Sequence, residues 1–82
     1  MASLRDDIYR RIRPIVAESL GADEDEIGWD TNVYDDLNAD VLEFHDEVIP
    51  LIEEEFGVTI DDADVPDLTT VRELVQYLVE NV

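Results

Sequence analysis

Apolar residues recur at helical spacing in three stretches of the chain, and each stretch is bracketed by signals that start and stop helices. Leu4, Ile8, Ile12, Ile15, Val16 and Leu20 form the first stripe. Ser3 precedes it with Asp6 three positions on, a capping-box pattern, and Gly21 supplies the left-handed residue that ends it. Pro14 lies inside this stretch. An interior Pro removes one backbone hydrogen bond at a cost of about 3 kcal/mol, so a bend is expected near residues 10–14.

The second helix is expected from near Asp40 to Phe56, with Gly57 as its stop. Val41, Phe44, Val48, Leu51, Ile52 and Phe56 mark its buried face, and Glu43, Asp46, Glu47, Glu53 and Glu54 its outer face. The last helix opens on a second capping-box pattern, Thr70 with Glu73, and carries Val71, Leu74, Val75, Leu78 and Val82. Between Gly57 and Thr70, "VTIDDADVPDL" offers a short extended piece and one helical turn. Residues 21–39 form a long connection, and Ile27, Trp29, Val33, Tyr34 and Leu37 are expected to pin it across the helices. No stretch reads as a strand long enough for a sheet. The expectation is an all-α bundle of three main helices, one short helix and a long first loop, in one domain over 1–82.

Charge changes this picture more than composition does. The chain has 23 Asp and Glu against 5 basic residues, a net charge of −18. All basic residues are Arg, and from Gly21 onward only Arg72 remains against 20 of the 23 acids. Nucleic acid and anionic membrane are therefore excluded as partners, and a basic protein surface or a cation is favoured. With 45% hydrophobic residues in periodic order, the chain is not a disordered acidic tail. There is no Cys, no run of about 18 apolar residues that would span a membrane, and no apolar signal core in "MASLRDDIYRR". A soluble, cytoplasmic monomer is the expectation.

Candidate chemistry concentrates in "DDLNADVLEF", residues 35–44. Asp36, Asn38, Asp40 and Glu47 fall at the first, third, fifth and twelfth positions of a calcium loop. The sixth position, where that loop turns sharply on Gly, is Val41, and a β-branched residue is a poor fit for positive φ. Weak, unselective divalent binding at Asp36, Asp40 and Glu47 is the remaining metal reading. His45 is the only His, so no multi-His metal site exists, and a packed or rim position suits it better than catalysis. No enzyme chemistry is indicated.

"LGADEDEI", "DDLNAD", "LIEEEFGVTIDDAD" and "LTTVRELVQYLVENV" resemble, in order and over almost the whole chain, the corresponding stretches of the acyl carrier protein family. The resemblance implies a small antiparallel four-helix bundle. It also implies a phosphopantetheine arm joined through phosphate to the Ser of a D-S-L motif at the start of the second helix. This chain has Asp40-Val41-Leu42 there, and the family's usual Gly two residues before the motif Asp is Asn38. Matched from "DDLNAD", the attachment position is Val41; matched from "EEEFG", it is Leu42, because this helix is one residue longer. Neither carries a hydroxyl, so no cofactor is expected. The extra residue together with Pro50 predicts a kink or π-bulge near His45–Pro50.

The function expected is that of an acyl-carrier-protein-like module without its arm. It would dock on basic surfaces of fatty-acid or polyketide-type biosynthetic enzymes through Asp40, Val41, Glu43, Asp46, Glu47, Glu53 and Glu54. A working carrier whose attachment Ser has been replaced, and a bundle that holds an acyl chain or fatty acid without a covalent link, are the competing readings.

Overall fold

The computed structural model describes residues 3–82. Its first helix, α1 (Leu4–Leu20), begins where Ser3 accepts a hydrogen bond from the Asp6 amide at 3.1 Å and ends on Gly21 at φ +67°. It runs unbroken through Pro14. The second helix, α2 (residues 41–56), has three consecutive parts: an α-turn Val41–Glu43, a π-helical turn Phe44–Val48, and an α-helix Ile49–Phe56 closed by Gly57 at φ +66°. The last helix, α3 (Val71–Asn81), has the full capping box: Thr70 accepts from the Glu73 amide while the Glu73 carboxylate reaches back to Thr70. Hydrogen bonds from Thr69, then from Thr70, hold that carboxyl below the usual range. The fourth member of the bundle is a single 3-10 turn, Val65–Asp67, and a second such turn, Glu24–Glu26, interrupts the first loop. Among the described residues no helix is long and apolar enough to cross a membrane.

The π turn is the expected bulge, and it explains which residues α2 buries. The Ile49 amide donates to the Phe44 carbonyl, five residues back, instead of four. Pro50 follows at once. It has no amide to give, and the wider turn relieves the clash its ring would make with a carbonyl four residues earlier. One extra residue in the turn rotates everything after it by about 100°. The buried ladder therefore passes from Phe44 to Ile49 and Ile52, with Val48 beside them. Leu51, expected in the core, is 46% exposed, and Val41, also expected there, is 64% exposed. Phe56 is only half-buried.

Ile8, Ile12 and Val16 of α1 meet Phe44, Val48 and Ile52 of α2 and Leu74, Val75 and Leu78 of α3 in one core. The first loop closes over it, as its apolar residues predict. Ile27 and Val33 are buried, Tyr9 stacks on Trp29 with ring centroids 4.0 Å apart, and Tyr34 meets Phe44 edge-on at 5.6 Å. Backbone bonds tie the loop to the start of α3: Arg72 N to Trp29 O at 2.7 Å, Val71 N to Thr31 O at 3.1 Å, and Val33 N to Thr69 O at 2.9 Å.

All five Arg are engaged within the chain. Arg11 grips Glu55 at 2.8 Å and its backbone carbonyl at 3.0 Å while lying over the Phe56 ring. Arg13 donates to the Ile27 and Glu24 carbonyls at 2.9 and 2.8 Å. Arg5 and Arg72 both lie over Trp29, Arg72 also pairs with Asp30 at 2.9 Å, and Arg10 lies 3.5 Å from Asp7. The hydrogen bond from Arg72 holds the Asp30 carboxyl below its ordinary value. The positive charge of the chain is thus spent within the fold: Arg11 joins α1 to α2, Arg5, Arg13 and Arg72 tie α1 and α3 to the first loop, and Arg10 pairs within α1. Most of the acidic surface is left without a counter-charge.

Candidate functional site

The junction into α2 is a set of small turns locked by side chains. The Asn32 side-chain oxygen accepts from the Tyr34 and Asp35 amides at 2.9 and 3.0 Å, and Asp36 accepts from the Asn32 amide at 2.8 Å. Asn38 takes φ +58°, the only positive φ outside Gly among the described residues. Asn is one of the few side chains that tolerates this conformation, which is why it can stand where a Gly is usual. The Ala39 amide then donates to the Val33 carbonyl at 2.9 Å. Asp40 is the helix cap, accepting from the Leu42 amide at 2.8 Å. Val41 is the first helical residue.

This geometry displays Val41 and Leu42 at 64% and 71% exposure, on a junction anchored below by buried Phe44. Two neighbouring apolar side chains thus stand exposed on a fixed turn. They carry no group that can act as nucleophile, base or ligand. No hydroxyl occurs anywhere in residues 35–58.

The acidic residues of the expected docking face separate into groups. Asp40, Asp46 and Glu47 are exposed beside the Val41–Leu42 pair, and Glu43 is half-buried. Glu53 accepts from the Ile60 amide at 2.7 Å and so holds the chain after Gly57. Glu54 is exposed further along, in a groove facing α1. Asp36, Asp40 and Glu47 do not converge. Among the described residues no three carboxylate or imidazole groups could hold a metal ion, and Asp36 and Asp40 are already taken by backbone amides. The calcium-loop spacing fails for the reason visible at its sixth position: Val41 starts a helix there instead of making the turn.

His45 sits on the rim of α2, inside the π turn. Its Nδ1 lies 3.0 Å from Asp46 and its Nε2 3.0 Å from Asp62, across the gap to the segment after Gly57. The hydrogen bond to Asp46, then that to Asp62, raises its pKa above 6.5. The folded state therefore favours the imidazolium. That contribution to stability is complete below the unfolded pKa of about 6.5 and is lost as pH rises through the higher folded value. Urea unfolding of the native chain and of His45→Gln, followed from about pH 5 to pH 9, checks this. The native chain is expected to lose its advantage over the variant on the alkaline side. A constant difference between the two would remove His45 as the titrating group.

Sequence periodicity missed the exposure of Leu51 and the His45–Asp62 bridge. The first was recoverable, since an extra helical residue must rotate the face behind it. The second joins residues 17 apart through a turn whose path the sequence leaves open.

The family described as "Phosphopantetheine attachment site" matches residues 10–78. The chain is 41% identical over 78 residues to an acyl carrier protein of Thermotoga maritima, covering 95% of this chain and 94% of that one. It is 40% identical over 77 residues to one of Rubrobacter xylanophilus, covering 94% of each. The solved structure of an acyl carrier protein from Enterococcus faecalis overlays with a TM-score of 0.73 at 32% identity, covering 95% of this chain and 98% of that one. The helix order, the locked turn before α2 and these likenesses over nearly the full length agree, and the chain belongs to the acyl carrier protein family.

Proposed function

We propose that this chain is an acyl-carrier-protein module that works without a phosphopantetheine arm, as a docking or regulatory partner of acyl-biosynthetic enzymes. As a family member it is a carrier-type protein of acyl biosynthesis and not an enzyme. The observation that carries the finer reading is Val41. It stands exposed as the first residue of α2, immediately after the Asp40 cap. An arm joined through phosphate needs a hydroxyl oxygen, and neither Val41 nor Leu42 has one. The residues present do not fit the group.

What remains at this end of α2 is a surface suited to recognition. Exposed Val41 and Leu42 lie beside Asp40, Asp46 and Glu47, with Glu43 half-buried among them. A partner with an apolar contact ringed by Arg or Lys matches it. Such charge pairing gives fast, salt-sensitive association. Glu53 holds the Ile60 amide, Asp40 the Leu42 amide and Asp46 the His45 ring, so among the described residues Glu43 and Glu47 are the acids at this end of α2 without such a bond, beside Val41 and Leu42.

Intact-mass measurement after incubation with coenzyme A and a phosphopantetheinyl transferase tests the missing arm. The mass is expected to stay unchanged, and a phosphopantetheine adduct would overturn the reading. Titration against a basic-surfaced acyl-biosynthetic enzyme tests the docking half. Affinity should fall steeply with added salt and should drop in Glu47→Lys.

A further inference from the structure

We propose that the groove between α1 and α2 receives a basic amphipathic segment of a partner protein, with an apolar side chain on its floor and Arg or Lys on its rim. The groove encloses about 510 Å³, and its floor is made by Ile15 and Leu51. Leu51 is there because of the π turn. On a regular α-helix, residue 51 would follow Phe44 at a spacing of two turns and share its buried side. The wider turn gives that place to Ile49 and Ile52 and leaves Leu51 46% exposed beside Ile15. The added residue that lengthens α2 therefore also furnishes the groove with its apolar floor.

The rim selects the charge of the occupant. Glu18 and Glu54 line the groove and make no ion pair or side-chain hydrogen bond among the described residues. Glu55, at the other edge, is neutralised by Arg11 at 2.8 Å. The one hydroxyl in the lining, Ser19, donates to the Ile15 carbonyl at 2.7 Å and has no proton to offer a ligand. The groove thus presents apolar surface and unpaired carboxylates, with no free donor. A fatty acid would bring its own carboxylate to Glu18 and Glu54. A second copy of this chain would bring a net charge of −18 to another −18. A protein segment that alternates apolar and basic residues meets both requirements, burying the floor and pairing the rim. Leu51 lies ten residues beyond Val41, about 15 Å along the helix axis. The groove is therefore separate from the Val41–Leu42 surface and does not depend on what docks there.

Amide chemical-shift mapping of the whole chain with a synthetic helical peptide of alternating Leu and Lys faces tests the proposal. A Ser/Lys peptide of the same charge, a Leu/Glu peptide and free laurate serve as the other probes. Shifts are expected to centre on Ile15, Glu18, Ser19, Leu51 and Glu54 with the Leu/Lys peptide alone. Leu51→Ser, an exposed change that leaves the core intact, should weaken binding about tenfold, and Val41→Ser should leave it unchanged. The proposal is overturned if shifts spread evenly over the acidic surface, if they centre on Val41 and Leu42, if laurate or the Ser/Lys peptide fills the groove equally well, or if Leu51→Ser binds as the native chain does.

Discussion

Val41→Ser is expected to turn a chain that a phosphopantetheinyl transferase leaves unmodified into one that it modifies, while Leu42→Ser stays unmodified. The two registers of α2 differ by the single extra residue, so the question is where that residue is absorbed. The π turn takes it up at Phe44–Val48, after the helix has begun. Upstream of that turn the Asp40 cap, the Leu42 amide bonded to it and the positive φ of Asn38 are all in place. We infer that position 41, not 42, is the one the family's motif uses, and a Ser there would present its hydroxyl to solvent as Val41 presents its methyls. The substitution itself should be nearly neutral for folding. Val41 is 64% exposed, Ser and Val differ little in helix propensity, and exposed changes of this kind fall within about 0.5 kcal/mol. Intact mass after incubation with coenzyme A reads the outcome. Modification of Leu42→Ser in place of Val41→Ser would mean that the extra residue is absorbed before the helix starts.

The second large effect is on stability. Phe44→Ala should destabilise the chain by about 3–5 kcal/mol. Phe44 is fully buried, meets Tyr34 edge-on at 5.6 Å, and is the residue whose carbonyl closes the π turn. Its removal leaves a cavity at the point where α1, α2 and the first loop come together. In a domain of this size each kcal/mol lowers the melting temperature by about 4–8 °C, so a fall of more than about 12 °C is expected by thermal unfolding. Leu51→Ala, seven positions on and apolar to the same degree by sequence, should change stability by less than about 0.5 kcal/mol because Leu51 is exposed. Equal losses in the two variants would contradict the rotation that the π turn imposes on α2.

The sequence alone determined what depends on near neighbours. Ser3 with Asp6, Gly21, Gly57, and Thr70 with Glu73 mark helix ends, because a cap is satisfied within a few residues and carries its own chemistry. The stripes of α1 and α3 were readable from Ile8 to Val16 and from Val71 to Leu78 because the turns are regular there, whereas Leu4 and Val82, also read into the stripes, lie at the helix ends and are each 54% exposed. Even the π turn left a trace, in one surplus residue beside Pro50. The lack of a hydroxyl at Val41 needs no structure to see.

The tertiary structure decided what depends on where separate segments meet. Periodicity placed Leu51 in the core and passed over Ile49, since it assumes about 100° per residue and the π turn adds one residue's rotation midway. Charge patterning gave Glu43, Asp46, Glu47, Glu53 and Glu54 of α2 one role. Packing gave Glu53 to the Ile60 amide, Asp46 to His45, and Glu54 to the groove beside α1. Arg11 finds Glu55 and Arg72 finds Asp30 across gaps of 44 and 42 residues. Many carboxylates in this chain were equally available to those arginines in sequence, and only the approach of the helices selects which one each guanidinium reaches.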